Sequence, residues 1–236
     1  MTPHLEILPP AQRAFWDRHA GSIPPGWVLY GGTAVALRYG HRTSVDLDFF
    51  SDLELDEDAL RGGIEPLRDG TILVRRPDTL TVAAPVGDGE VRLSFFGGIG
   101  FGRVGAPDEP PGRFPIASPL DLLATKLKVL IQRVEARDYL DVEVLLRSGL
   151  TLNAGVSAAQ ALFPERLNPM DIAKAVGWFK EGDLDARLPA SVKDTLAAAA
   201  ASFQPDTQAM KLVARELGLI PRSVDNDRIV HGSGPP

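Results

Sequence analysis

Apolar and polar positions alternate through the first half of the chain and recur with helical spacing through the second. Trp27-Val28-Leu29-Tyr30 is a short apolar run that predicts a buried strand over 27–30. From Thr33 to Tyr39 the apolar residues take helical spacing and Gly40 closes the segment, which predicts a helix. Residues 44–50 predict the next strand, and a helix is expected over about 56–68. Three further alternating runs follow at 71–75, 79–84 and 90–96, the last two joined by the hairpin turn signal Gly87-Asp88-Gly89. Residues 97–119 are rich in Gly and Pro and read as a linker or an extended crossing segment.

Beyond that segment the pattern is wholly helical. Ser118, Pro119 and Asp121 mark a helix start. Helices are expected over 119–133, 136–148, 155–163, 169–180, 190–202 and 206–217. The expected fold class is α+β: a small mixed or antiparallel sheet with helices, then a helical C-terminal bundle packed beside it. The division predicted is an α/β domain at 1–117, a helical domain at 118–222 and a polar, Gly- and Pro-bearing flexible tail at 223–236. No internal repeat is visible.

Composition narrows the class of function. At 236 residues with 44% apolar content the chain can build a real core. Cysteine is absent, which excludes disulfides, zinc–thiolate sites and thiol nucleophiles. The first twenty residues mix Glu6, Arg13, Asp17 and Arg18 into their apolar positions and lack a signal peptide's apolar run. No stretch approaches the roughly 20 apolar residues of a membrane helix. A cytoplasmic protein away from the membrane is therefore expected. The net charge of −6 argues against a large basic nucleic-acid surface. Local basic clusters exist nonetheless, at Arg38, His41 and Arg42, at Arg75 and Arg76, and at Lys126, Lys128, Arg133 and Arg137.

Three features carry candidate chemistry. Gly31-Gly32-Thr33 lies where a strand gives way to a helix, so backbone N–H groups and the Thr33 hydroxyl can meet phosphates; Thr33 can equally be an ordinary N-cap. Asp46-Leu47-Asp48 puts two carboxylates on one face of a strand whose neighbours Val45, Leu47, Phe49 and Phe50 read as buried. Such a pair repels unless a cation sits between, and oxygen ligands of this kind suit Mg²⁺ or Mn²⁺ together with substrate phosphates. Lys126, Arg133, Arg137 and Asp141 fall on one stripe if their helix is continuous, able to hold a triphosphate while Asp138 and Asp141 orient the arginines. The alternative for that stripe is a surface ladder of i,i+4 ion pairs.

Taken in order, Gly-Gly-Thr-Ala, then Arg42-x-Ser44-x-Asp46-x-Asp48-Phe-Phe, then Lys126-Leu and Arg133-x-x-x-Arg137-Asp138-x-x-Asp141, the chain resembles the AbiEii/AbiGii toxin nucleotidyltransferase family. The matching residues run from about 28 to 147. The resemblance implies a fold of the DNA polymerase β type, with a sheet carrying the metal site and a helical domain closing over it. It implies Mg²⁺-dependent transfer of a nucleotide from a nucleoside triphosphate (NTP), in the family typically to tRNA, by a toxin with a cognate antitoxin. Asp46 and Asp48 would then be catalytic metal ligands and Lys126 a catalytic phosphate-neutralising residue. Gly31, Gly32, Thr33, Arg42, Ser44, Arg133, Arg137, Asp138 and Asp141 would be nucleotide-binding.

One departure stands out. The family brings a third carboxylate from an adjacent strand, and in Gly89-Glu90-Val91-Arg92-Leu93-Ser94-Phe95 that place falls on Ser94. Glu90 lies four residues earlier, roughly 13 Å along a strand and too far to substitute. A catalytically impaired, nucleotide-binding relative acting through a protein partner is thus the alternative function, and a transferase that modifies a protein is a third. Haloacid-dehalogenase-like phosphatases also use Asp-x-Asp after a strand, but they lack the Gly-Gly helix unit and want Thr or Val where Phe50 stands.

Overall fold

The computed structural model describes residues 1–164, 167–182, 184–205 and 210–218. Its first helix, α1 (Pro10–His19), has no counterpart among the predicted elements. Pro10 suits the first helical turn, where its missing N–H has no partner to lose. Only Gln12, Phe15 and Trp16 of this helix are buried, a stripe too sparse among charged residues to declare itself.

The apolar run at 27–30 becomes β1 (Val28–Tyr30), which passes directly into α2 (Gly31–Tyr39) and then β2 (Asp46–Phe50). The expected helix over 56–68 is broken into α3 (Glu57–Gly63) and α4 (Glu65–Arg68). Ile64 between them is extended, following Gly62-Gly63 and preceding Pro66 by two residues. The three alternating runs become β3 (Thr71–Arg76), β4 (Thr79–Val86) and β5 (Gly89–Phe96).

These strands form one mixed sheet in the order β1-β2-β5-β4-β3. β1 runs antiparallel to β2, so α2 links antiparallel neighbours. β2 and β5 are parallel, and β5, β4 and β3 form an antiparallel meander, with a register shift between Ile72 and Val74. The parallel register puts Asp46 opposite Arg92 and Asp48 opposite Ser94.

Alternation along β2 divides the sheet into a packed face and a working face. Leu47 and Phe49 are buried in the core. Phe49 stacks on Phe95 at 5.3 Å and meets the edge of Phe114 at 4.9 Å, while Trp16 and Trp27 complete the cluster against Phe114 and Phe95. Asp46, Asp48 and Phe50 take the opposite face. The Gly/Pro-rich segment is indeed an extended crossing: Leu29 N–H donates to the Pro115 carbonyl at 2.8 Å and Ala117 N–H donates to the Leu29 carbonyl at 3.0 Å. It therefore covers the outer edge of β1.

The helices that follow are α5 (Pro119–Gln132), α6 (Ala136–Arg147), α7 (Leu152–Leu162), α8 (Pro169–Val176), α9 (Leu184–Arg187) and α10 (Ala190–Ala201). α5 is capped by the Ser118 hydroxyl, which accepts from Asp121 N–H at 3.1 Å. It packs against α6, α7 and α8, and α2 touches both α5 and α6. The helix expected over 169–180 ends early, with Gly177 following Val176. The helix expected over 206–217 does not form across 210–217: Ala214 accepts from Arg103 N–H at 2.9 Å and Leu217 N–H donates to Asp52 at 2.9 Å, so its backbone pairs with distant segments. Residues 206–209 of that segment and the tail at 223–236 lie outside the described residues. Among the described residues no helix is long and apolar enough to cross a membrane.

Replacing Phe49 with Ala should remove about 3–5 kcal/mol of stability through lost ring burial and the cavity left behind. Urea unfolding of Phe49→Ala checks this; a loss under 1 kcal/mol would mean that the aromatic cluster is not the centre of the core.

Candidate active site

A cavity of about 690 Å³ opens over the working face, between the sheet and α5. Asp46 and Asp48 line it from β2, with Gly31 and Gly32 from the start of α2 and Arg42 and Ser44 from the loop before β2. Lys126, Arg133 and Arg137 line it from the helical side. Residues as far apart in sequence as Gly31 and Arg137 thus meet at one opening.

The glycine pair is required by close approach. Gly31 has φ +72°, and a Cβ there would lie 2.6 Å from Asp48 Oδ2. A Cβ on Gly32 would collide with the Arg42 guanidinium and lie 3.2 Å from Ser44 Oγ. Tyr30, the N-cap of α2, offers no side-chain hydrogen bond to the first helical N–H groups. The helix N-terminus beside the carboxylates is therefore left to attract an anion.

Burial raises the Asp48 carboxyl above its usual pKa, and the neighbouring charge of Asp46 raises it further; a hydrogen bond from Ser94 and the charges of Lys126 and Arg133 only partly offset this. Thr81 Oγ1 donates to Ser94 Oγ at 3.3 Å, so a chain of hydroxyls ends on Asp48. Asp46 Oδ1 is buried without a hydrogen-bond partner. Arg92 Nη1 lies 3.5 Å from it, an ion-pair distance too long for a good hydrogen bond. Two like charges, one with an orphaned oxygen, facing a helix N-terminus and the cationic Arg42, Lys126 and Arg133 fit a hard divalent cation. Among the described residues no further His, Cys, Asp or Glu joins them to make a cluster of three, and Glu90 is exposed away from the cavity lining.

The single basic stripe is corrected by the break at 133–135: α5 ends at Gln132 and α6 begins at Ala136. The chain folds back there, so Lys126 meets Asp138 at 2.7 Å and Asp141 at 2.6 Å. Asp138 also accepts from Arg133 Nε at 2.9 Å. Asp141 takes Arg42 bidentately at 2.7 and 2.8 Å and accepts from His41 Nε2 at 2.8 Å. Burial alone would raise both carboxyls. The Lys126 charge and the Arg133 hydrogen bond hold Asp138 below the usual range, and His41, Lys126 and Arg42 hold Asp141 far below it.

Asp138 and Asp141 are fully buried and do not line the cavity; they position the cations that do. Arg137 lines the cavity but pairs with Glu135 at 2.6 Å, not with Asp141. Thr33 is buried too, and its hydroxyl donates to the Asp46 carbonyl at 2.5 Å. That bond turns it away from any phosphate and ties α2 to β2, in place of the phosphate contact expected from its position at the helix start. Lys128, a member of the basic cluster noted in the sequence, also lines the cavity, as do Arg92, Gln132 and a group of aromatic residues that the sequence did not mark as site candidates. Alternation along β5 places Arg92 on the face of Ser94 and was a usable signal. Phe101 and Phe163 come from a loop and a helix end and carried none.

A family model described as nucleotidyl transferase AbiEii toxin, type IV toxin–antitoxin system, matches residues 17–215. The chain belongs to the AbiEii nucleotidyltransferase family. Two solved structures share its fold: one titled "putative nucleotidyltransferase from H. pylori" (19% identity, TM-score 0.51, 81% of this chain and 90% of that one) and JHP933 from Helicobacter pylori (19%, 0.50, 81% and 88%). A search of curated proteins gave no match. The AbiEii assignment and the architecture agree on a nucleotidyltransferase.

Two consequences are measurable. Asp141→Asn leaves Lys126 and Arg42 buried and under-compensated and should cost about 3–5 kcal/mol at pH 7. Because the folded pKa of Asp141 is depressed, its contribution is fully present above the unfolded value of about 3.9 and is lost as pH falls through the folded one, so the gap to wild type should narrow in urea melts at pH 3. Asp48 has the opposite sign. Its raised pKa means that ionisation opposes folding, so Asp48→Asn should melt higher than wild type at pH 7 in chelator, with the difference fading as pH falls from the folded pKa to the unfolded one and absent below it. A lower melting temperature at pH 7 would refute the like-charge strain.

Proposed function

We propose that this protein transfers a nucleotide from an NTP to an acceptor such as tRNA, with Mg²⁺ or Mn²⁺, as the toxin of a toxin–antitoxin pair. The observation that carries the reading is the convergence of Asp46 and Asp48 with the start of α2, Arg42, Lys126 and Arg133 on one cavity. The N–H groups of α2 hold the terminal phosphates, assisted by the Ser44 hydroxyl and Arg42. Lys126 and Arg133, fixed by Asp138 and Asp141, neutralise charge as the pyrophosphate leaves. A divalent cation bound by Asp46 and Asp48 would polarise the α-phosphate and acidify the acceptor hydroxyl. The exposed rim at Arg92 and Arg137 suits an acceptor with its own phosphate backbone.

Ser94 supports a second reading. It occupies the β5 position directly opposite Asp48, and a hydroxyl is a poor base for deprotonating the acceptor. On this reading the protein binds nucleotide and acts through a protein partner, the antitoxin among the candidates.

Incubation with each labelled NTP, Mg²⁺ and total tRNA separates the two. Transfer is expected from the wild type, abolished in Asp46→Ala and reduced about 10²–10³-fold in Lys126→Met. Nucleotide binding without transfer in the wild type, with transfer gained in Ser94→Asp, would establish the impaired relative instead.

A further inference from the structure

The polarity of the working face changes along its strands. On β2 the sequence of cavity-facing side chains is Asp46, Asp48, Phe50, and on the parallel neighbour β5 it is Arg92, Ser94, Phe96. Each step of two residues advances roughly 6.8 Å. The charged end thus gives way, one step beyond Asp48, to an aromatic floor. Phe50 and Phe96 meet edge to face at 5.0 Å, and both are only half-buried although they sit inside the fold.

The aromatic end is walled on its other sides as well. Tyr30 stacks on Phe50 at 5.0 Å. Phe101, from the crossing segment, turns its edge towards Phe50 at 6.2 Å and packs against Phe163 of the helical side at 5.1 Å. Lys128 Nζ lies 4.0 Å from the Phe163 ring centroid and also lines the cavity. A half-exposed aromatic floor with a cation at its edge is the chemistry that receives a flat, electron-rich ring with polar substituents.

We propose that this end of the cavity is the nucleobase subsite of the bound NTP, with Phe50, Phe96 and Phe101 supplying its stacking surface. The assignment rests on the nucleotidyltransferase reading above. Phosphates held at Gly32, Ser44 and Arg42 and an α-phosphate at Asp46 and Asp48 leave one strand step for the ribose, which brings the base over Phe50 and Phe96. The acceptor enters elsewhere, because the open rim carries Arg92, whose side chain is 55% exposed, and Arg137, whereas the aromatic end is closed by Tyr30 and Phe163. Stacking is tolerant of base identity, so the subsite selects for a nucleoside over a bare polyphosphate more strongly than among bases.

The test compares NTPs with inorganic triphosphate as ligands, by titration calorimetry in Mg²⁺, for wild type, Phe96→Leu and Phe101→Leu. Leucine keeps an apolar filler and removes the ring face, and thermal melts show whether each variant is folded. The expected result is about a tenfold weaker NTP affinity in each variant with unchanged affinity for inorganic triphosphate. Unchanged NTP affinity in both variants, or an equal loss for NTP and triphosphate, overturns the subsite while leaving the phosphate site standing. A wild type that binds neither ligand overturns the functional reading itself, and the subsite falls with it.

Discussion

The buried carboxylate of Asp141 ties the molecule together. It receives Lys126 from α5, Arg42 and His41 from the loop leading into β2, and it belongs to α6. Two consecutive helices and a loop about a hundred residues earlier are thereby held at hydrogen-bond distance by one side chain with no solvent exposure. Removing two charges from water is expensive, and a buried pair is stabilising only when its remaining lone pairs and protons are satisfied. Here the carboxylate oxygens are satisfied, because Asp138 shares Lys126 and accepts from Arg133, while His41 Nδ1 is buried without a hydrogen-bond partner. What the network provides is position. The cations that face the cavity are held in place by carboxylates, so little ordering would remain for an anion binding there.

The opposite electrostatic choice is made across the cavity. Asp46 and Asp48 are like charges with few compensating donors, and one oxygen of Asp46 has no hydrogen-bond partner. A fold that satisfies Asp138 and Asp141 so completely yet leaves this pair unresolved spends stability where a ligand is to act. Thr33 and Gly31 serve that arrangement indirectly. One ties the backbone of β2 to α2, and the other lets the helix approach within contact of the Asp48 carboxylate.

Much of this was legible in the sequence because it is local. The alternation at 44–50 put Asp46 and Asp48 on one face, and the sheet confirms that Leu47 and Phe49 take the other. The Gly-Asp turn, the Ser118 cap and the start of α5 were likewise readable from residues that make their own local structure. The α5–α6 break fell where separate helices at 119–133 and 136–148 were expected, but its consequence was not legible, because nothing in the spacing shows that the chain turns there to bring Asp138 onto Lys126. Asp138 and Asp141 looked like surface partners by spacing, yet they are buried, since burial depends on what packs on a helix from elsewhere. Phe101 and Phe163 reached the cavity only through tertiary packing, for which no periodicity exists.

The two margins of the sheet differ in a way that bears on self-association. On the β1 side the crossing segment occupies the free backbone groups through Leu29. On the other side β3 ends the sheet with no strand beyond it among the described residues, and Leu73 and Val74 are exposed along it. An open edge of that kind is a template for pairing with another chain. The irregularity between Ile72 and Val74 interrupts its run of regularly spaced donors and acceptors, and Arg75 and Arg76 follow at once with like charge. A second copy approaching edge to edge would meet a broken register at the bulge and a guanidinium at Arg75 already engaged by Glu57, so the margin that borders the cavity mouth is a poor template for strand pairing.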